Sequence, residues 1–381
     1  MKLKKYRIAG LIALLVAAVL AIALFGFSCV SGLTPIGWSG GTVSDGVLYV
    51  GSLEGRLATI NLADQSKIWA EPLKVEAQSG IFGCSASTGC AGGTARVSIY
   101  GTPVVSDNLV YVAGYNGKIY AYNTGNLAAR WVFPREGYLN PFVGGIVVDN
   151  NKLFIGCSDG WIYALDASTG DLLYEYKTGD KIWGTPTVAD NTLYIGSFDK
   201  KLYALNADDL TLKWSFITEG SIIAKPLVYN GVVYIGSFDR YLYALNASDG
   251  SLKWKFMAEN WFWTQPVIIG DNIYAGCLDG VVYVLKADTG ALVTELPLDS
   301  QVAAQPVVFE NYIFFATHKG FIYKIDINSY AYTQIIAIEF NIDGPLTEYE
   351  GIIYIQTPDY SLQRIDASTG ALLPSISLIS G

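Results

Sequence analysis

The fold follows from one stretch of this 381-residue chain, Tyr234-Ile-Gly-Ser-Phe-Asp-Arg-Tyr-Leu-Tyr-Ala-Leu-Asn-Ala-Ser-Asp-Gly-Ser-Leu-Lys-Trp254. Apolar residues alternate along it, and Asp, Asn and Gly interrupt them at short intervals, which is the pattern of antiparallel hairpins. An aromatic residue that starts a short apolar run recurs eight times. The copies begin at Tyr49, Tyr111, Phe154, Tyr194, Tyr234, Tyr274, Phe314 and Tyr354. From Phe154 onward the step is 40 residues every time.

Each repeat contains the pattern of four short strands separated by tight turns. In the fourth repeat the strands begin at Thr185, Leu193, Leu202 and Leu212. A second aromatic residue follows the first by nine positions, as Tyr203 follows Tyr194, and is expected to pack inside the blade. Four-stranded units of about 40–50 residues in radial array are propeller blades. The sequence therefore predicts an all-β fold, an eight-bladed β-propeller of four-stranded antiparallel blades over residues 31–381.

The 234–254 stretch resembles the PQQ-like repeat superfamily, and the resemblance covers residues 38–374. This superfamily includes quinoprotein alcohol dehydrogenases and the BamB-type outer-membrane assembly lipoproteins. The resemblance implies that a late Trp docks each blade against its neighbour. The matching residues are Trp69, Trp131, Trp214 and Trp254, and the replacements are Tyr174, Thr294, Gln334 and Pro374. These replacements predict looser docking toward the C-terminus.

The first 30 residues differ in composition from the rest. Four cations (Lys2, Lys4, Lys5 and Arg7) precede an uncharged run of twenty residues, 8–27. Signal peptides usually carry about 7–15 apolar residues, whereas a membrane span needs about 20. The length favours one hydrophobic helix as an uncleaved membrane anchor, with the propeller on the extracytoplasmic side. The alternatives are a lipoprotein signal cut before Cys29, which would then be lipidated, and a cleaved secretory signal.

The five cysteines fit an extracytoplasmic compartment. Cys84 and Cys90 lie in a Gly/Ser/Thr-rich insertion, residues 70–100, between blades one and two, where a local disulfide is expected. A two-thiolate metal site is the alternative, but no further cysteine pair completes four ligands. Cys157 and Cys277 occupy the same repeat position and are expected to be small packed residues.

Charge and motif content narrow the function. Without the four N-terminal cations the chain has 21 basic and 34 acidic residues, and this negative field argues against nucleic-acid binding. The Asp-x-x-x-Gly stretches, such as Asp166–Gly170, are interpreted as turns rather than calcium loops. The single histidine, His318, is expected to be a surface turn residue. We therefore predict no metal site.

Catalysis on pyrroloquinoline quinone is the enzyme hypothesis that the resemblance raises. Similar enzymes hold the quinone at the mouth of the propeller with Ca²⁺ and often with a ring formed by adjacent cysteines. This chain contains no Cys-Cys dipeptide, and its eight repeats use nearly all of its length. We therefore expect neither PQQ nor calcium, and a PQQ-dependent dehydrogenase remains the alternative function.

The predicted mouth of the channel is the candidate site. One residue from each blade, just before the first strand, should line it: Gly40, Thr102, Gly145, Thr185, Lys225, Gln265, Gln305 and Gly344. A second set lies two positions earlier: Trp38, Tyr100, Val143, Trp183, Ile223, Trp263, Ala303 and Ile342. Aromatic residues beside a few polar groups suit recognition of a protein or ligand.

The triplet Trp261-Phe262-Trp263 is the least expected feature of this face, because three bulky rings in a link serve no turn geometry. Either they bind a partner, together with Trp183, Lys225, Gln265 and Gln305, or they plug the channel and cover the blade ends. The insertion should project on the same side. We predict a membrane-tethered, non-catalytic scaffold that binds a protein or peptide in the cell envelope, and similarity to BamB-type proteins implies a role in envelope protein assembly.

Overall fold

The computed structural model describes residues 39–52, 55–73 and 97–379. These residues form eight antiparallel sheets of four strands each, and no helix occurs among them. Each sheet is built from four consecutive strands. The prediction of an all-β, eight-bladed propeller with four-stranded antiparallel blades is confirmed.

The strands follow the repeat, four to a blade. Blades one to four comprise β1 Gly41–Ser44, β2 Val47–Gly51, β3 Leu57–Asn61, β4 Lys67–Trp69, β5 Val104–Ser106, β6 Leu109–Ala113, β7 Ile119–Asn123, β8 Ala129–Phe133, β9 Val147–Asp149, β10 Lys152–Gly156, β11 Trp161–Asp166, β12 Leu172–Lys177, β13 Thr187–Ala189, β14 Thr192–Gly196, β15 Lys201–Asn206 and β16 Leu212–Ile217. Blades five to eight comprise β17 Leu227–Tyr229, β18 Val232–Gly236, β19 Tyr241–Asn246, β20 Leu252–Met257, β21 Val267–Ile269, β22 Asn272–Gly276, β23 Val281–Lys286, β24 Leu292–Pro297, β25 Val307–Phe309, β26 Tyr312–Ala316, β27 Phe321–Asp326, β28 Tyr332–Ala337, β29 Thr347–Tyr349, β30 Ile352–Thr357, β31 Ser361–Asp366 and β32 Leu372–Ser377.

Blade eight packs directly against blade one to close the ring. Their first strands, β29 and β1, lie beside each other, and the two blades share no strand. The Thr347 hydroxyl accepts a hydrogen bond from the Gly41 amide at 3.0 Å and donates one to the Gly41 carbonyl at 2.9 Å. Gln356 Nε2 donates to the Gly51 carbonyl at 2.9 Å. Closure therefore rests on side-chain packing and a few polar contacts.

Neighbouring blades are joined by a repeated pair of hydrogen bonds. Tyr234 on the second strand of blade five and Trp254 on its fourth strand both donate to the Ala287 carbonyl of blade six, at 2.9 and 3.0 Å. The same pairing converges on the carbonyls of Ala167 and Ala247 at two other interfaces. The docking role that the resemblance implied is therefore present at three of the four predicted tryptophans.

A glycine in the next blade receives each docking tryptophan. Gly250 has a φ of +73°, and a Cβ added there would lie 2.6 Å from the Trp214 ring. Gly170 and Gly290 stand in the same relation to Trp131 and Trp254. The left-handed backbone favours glycine at these positions, and the ring contact excludes a side chain there.

Two of the interfaces that lack the tryptophan are filled from the opposite side. The residue at the glycine position is then large: Leu210 is buried between blades three and four, and Tyr330 packs between blades six and seven. Tyr174, the replacement in blade three, is left 43% exposed. At these two interfaces the neighbouring turn supplies the missing volume, and looser docking toward the C-terminus stays a prediction.

Trp69 differs from the three docking tryptophans, because it packs against blade eight and not against the blade that follows it in the chain. In blade four the strand pairing slips by one residue after Ala204, and this bulge turns Trp214 toward the next blade. Blade one pairs without that slip, so Trp69 faces the opposite way and packs at the interface with blade eight. Leu127 occupies the glycine position of blade two and is buried.

Several predicted features lie outside the described residues. They are the N-terminal segment 1–30 with Cys29, the Cys84–Cys90 pair, and most of the 70–100 insertion. Where the structure describes the chain, no helix is long and apolar enough to span a membrane. The ends of the insertion are held in place: the Leu73 amide donates to the Gly55 carbonyl at 2.9 Å, and Ile99 is buried against Gly51.

The described cysteines, Cys157 and Cys277, are free and fully buried, as expected for small packed residues. Burial raises the pKa of the Cys277 thiol to about 12. Both side chains are therefore protonated at neutral pH and serve packing.

Candidate functional site

The mouth of the channel contains a cavity of about 300 Å³. The predicted residues next to the first strands meet in its wall at six blades: Thr102, Gly145, Thr185, Lys225, Gln265 and Gln305. The predicted second set contributes Tyr100, Val143, Trp183, Ile223, Trp263 and Ala303. The repeat therefore predicted which residues come together, since each link enters its blade in the same way.

Blade eight departs from the predicted set by one position. The structure places Asp343 and Pro345 in the cavity wall, whereas Ile342 is buried in the core. Pro345 lies two residues before its first strand, whereas Pro306 lies one residue before β25. Because Leu346 separates Pro345 from β29, the predicted Gly344 and Ile342 each lie one position too early.

Phe262 is not at the surface of the mouth. It is 1% exposed, and its ring lies 6.0 Å from that of Tyr283 in the core between blades five and six. It occupies the position of Ile182 and Ile222, which pack on the glycines that end the second strands. The prediction that Phe262 contacts a partner is therefore wrong, because alternate residues of the link point into the core.

Trp261 and Trp263 lie on the two sides of Phe238. The Trp261 ring is 4.3 Å from the Phe238 ring at an interplanar angle of 11°, and the Trp263 ring is 5.6 Å away at 18°. Trp261 is 40% exposed. Sequence reasoning missed Phe238, which follows Gly236-Ser237 in the turn between the second and third strands. The available signal was an aromatic residue at a turn position that holds Ser158 in blade three.

The stack continues across blade four. Phe198 lies 6.3 Å from Phe238, and the Trp183 ring meets Phe198 edge-on at 4.8 Å. The Lys181 ammonium lies over both the Trp183 and Phe198 rings at 4.6 and 4.4 Å. We call the five rings of Trp183, Phe198, Phe238, Trp261 and Trp263 the aromatic arc. It runs along the mouth face of blades four to six.

Lys225 is the basic residue of the cavity wall. Its side chain is solvent-exposed within the channel, and the protein walls around it lower the pKa of the ammonium by partial desolvation. Its neighbours around the ring are anchored to backbone. Gln265 Nε2 donates to the Pro226 carbonyl at 2.9 Å, and the Thr185 hydroxyl accepts from the Gly145 amide at 2.7 Å. In the part of the chain that is described, the Lys225 ammonium forms neither a hydrogen bond nor an ion pair.

His318 belongs to a small network at the other side of the mouth. Its Nδ1 lies 2.7 Å from Asp343 Oδ1, and its Nε2 lies 3.2 Å from Asn341 Nδ2. His318 and Asp343 also line a second cavity, of about 310 Å³, next to Trp263. His318 is in a turn, as predicted, but its partners come from the next link and were not foreseen. No cluster of three or more His, Cys, Asp or Glu side chains arranged to hold a metal occurs among the described residues.

The ring of eight four-stranded blades around the mouth cavity defines an eight-bladed β-propeller. A family model described as outer membrane protein assembly factor BamB matches residues 30–179, 134–224 and 183–373. The chain therefore belongs to the BamB family of PQQ-like repeat propellers, and the predicted resemblance is confirmed.

Two curated relatives show the range of the similarity. Outer membrane protein assembly factor BamB of Kangiella koreensis is 28% identical over 154 residues, which are 39% of this chain and 36% of that protein. The lanthanide-dependent methanol dehydrogenase of Methylacidiphilum fumariolicum is 27% identical over 122 residues, 30% of this chain and 20% of the enzyme. The chain thus spans about a third or less of the length of these relatives.

Solved structures share the architecture. The computationally designed protein Ika8 superposes with a TM-score of 0.71 at 15% identity, over 87% of this chain and 97% of the designed chain. BamB from Moraxella catarrhalis gives a TM-score of 0.67 at 17% identity, over 83% and 90% of the two chains. At these identities the similarity establishes the fold.

Proposed function

We propose that this protein is a non-catalytic scaffold that binds a polypeptide partner in the cell envelope through its mouth face. The aromatic arc carries the proposal. Five aromatic rings lie on one face across three blades, and Trp261 is 40% exposed. Large, rigid aromatic side chains are the residues that dominate protein interfaces, because they bury much area at little cost in entropy.

Membrane attachment through residues 1–30 and a role in envelope protein assembly belong to the same proposal. The four cations followed by a twenty-residue uncharged run support the attachment. The relatives named as outer membrane protein assembly factors support the role. The partner is then a protein that is itself assembled, or helps assembly, outside the cytoplasm.

The proposal is tested by replacing Trp261 with alanine in the full chain and recovering crosslinked partners from native membranes. We expect partner recovery to fall at least about tenfold, because an aromatic anchor at an interface contributes on the order of 2 kcal/mol or more. Trp261 is partly exposed, so the fold should remain intact.

Tyr229→Ala is the matched control. Tyr229 is 43% exposed and lies in blade five, at the end of β17 opposite the mouth. Partner recovery from this variant should equal that of the unchanged protein. Equal recovery from Trp261→Ala and Tyr229→Ala would contradict binding through the mouth face.

A further inference from the structure

Lys225 carries a positive charge that no described residue balances. It is the one basic residue among the described residues that line the cavity, and its ammonium has no described partner. The carboxyl group across the mouth, Asp343, is bonded to His318 instead. An ammonium in a cavity walled by protein attracts an anion more strongly than one in open water, because the walls lower the local dielectric constant. The position of Lys225 therefore favours a negatively charged ligand group.

The groups around Lys225 add hydrogen-bond donors. Gln305 lines the cavity and uses its side-chain oxygen to accept from the Gln265 backbone N–H at 3.2 Å, so its NH₂ group remains as a donor. A site that offers an ammonium and an amide NH₂ matches a carboxylate, which accepts several hydrogen bonds.

The aromatic arc determines what carries this carboxylate. Lys225 belongs to blade five, and Trp183 and Trp263 of the adjoining blades line the same cavity on either side of it. The ligand must therefore combine an acidic group with apolar neighbours. The acidic excess of the chain, 34 acidic against 25 basic residues, does not concentrate free small anions. A polypeptide held on the arc would instead present its carboxylate at high effective concentration.

We propose that Lys225 recognises an Asp or Glu side chain of the partner, within a segment whose aromatic or aliphatic residues lie on the aromatic arc. This inference rests on the proposed function and specifies the chemistry of the partner. The apolar residues supply area for affinity. The carboxylate, paired with Lys225 inside the cavity, supplies selectivity, because a segment without it leaves the ammonium unpaired.

An array of random peptides with amidated C-termini tests the proposal on the purified full-length protein in detergent. We expect bound peptides to be enriched in Asp or Glu next to aromatic or aliphatic residues. Replacing the acidic residue of a selected peptide by its amide should weaken binding by about 10–100-fold, the range for a hydrogen bond to a charged group. In Lys225→Met this preference should vanish while the apolar preference remains.

Two further variants separate the possible failures. Lys253→Met removes the same charge from the exposed outer strand β20 and should keep the acidic preference. Lys225→Glu should select basic residues in place of acidic ones. An acidic preference that survives in Lys225→Met, or an apolar preference alone in the unchanged protein, would overturn the role of Lys225. Selection that is unaffected by Trp261→Ala would instead overturn binding through the arc.

Discussion

Replacing Trp254 with alanine is expected to lower the free energy of unfolding by about 3–5 kcal/mol, the range for removing a large aromatic side chain from a core. Trp254 is 8% exposed, packs over Gly290 and donates to the Ala287 carbonyl at 3.0 Å. The variant leaves a cavity between blades five and six and removes one of two donors to that carbonyl. Urea unfolding of the full chain in detergent, followed by circular dichroism, measures the change.

Tyr174→Ala is the control at the same position of the repeat. Tyr174 is 43% exposed, because Leu210 of blade four fills the space that a tryptophan occupies elsewhere. Its removal should cost less than about 1 kcal/mol. A Tyr174→Ala variant as unstable as Trp254→Ala would contradict the finding that Leu210 replaces the docking ring at that interface.

Alkaline pH is expected to unfold the protein cooperatively, because its buried tyrosines must stay protonated. Burial raises the pKa of Tyr111 and of Tyr274 to about 12, and each hydroxyl donates to a carbonyl of the next blade. A raised pKa means that the stabilisation is complete below about pH 10 and is lost as the pH rises toward 12. Each of the two groups costs roughly 1 kcal/mol by pH 11.

The blade tyrosines of the third strands add to this effect. The Tyr203 and Tyr243 hydroxyls are buried and donate to Asp199 and Asp239, so burial and the nearby carboxylates raise the pKa of both. Tyrosinate absorbance should therefore appear together with the loss of the β-sheet circular dichroism signal. Complete ionisation of the tyrosines in a protein that keeps its β-sheet signal would contradict the prediction.

The fold was predictable because each repeat carries its own turns and its own core residues. The register from Tyr194 through Ala204 to Trp214 recurs in blades two to six. The sequence also contains the two ways of filling a blade interface. A large Trp214 is matched by a small Gly250, and the exposed Tyr174 is matched by a large Leu210, 36 residues apart in each pair. A comparison of single repeats does not reveal this complementarity, because the two residues of each pair belong to neighbouring repeats. Trp69 has the same spacing from Tyr49 as Trp214 has from Tyr194. It faces blade eight because blade one lacks the bulge that turns Trp214 toward the following blade.

The candidate site was predictable only in part. Residues at fixed offsets from a strand, such as Lys225 and Gln265, meet in the cavity as the repeat requires. Phe262 was wrongly placed because the link has its own alternation of buried and exposed positions. Phe238 and the His318–Asp343 contact were missed because they join elements of different blades. Such contacts depend on the rotation between blades, which the sequence of a single repeat does not express.

The blades are rigid and alike, whereas the residues at the mouth differ from blade to blade. This difference explains how such a protein can recognise a partner. The blade interfaces use the same tyrosines and carbonyls again and again. The mouth residues, by contrast, differ from blade to blade, with Thr185, Lys225 and Gln265 at one equivalent position. A rigid scaffold with variable residues at the ends of its strands is the arrangement in which binding sites arise.

Binding of a polypeptide through the aromatic arc is tested most directly by photocrosslinking in intact cells. A photoreactive amino acid is placed at position 261 on the mouth face and, in a separate strain, at position 229 at the opposite end of blade five. We expect a protein adduct from position 261 and none from position 229. Adducts from position 229 alone, or equally from both positions, would contradict it.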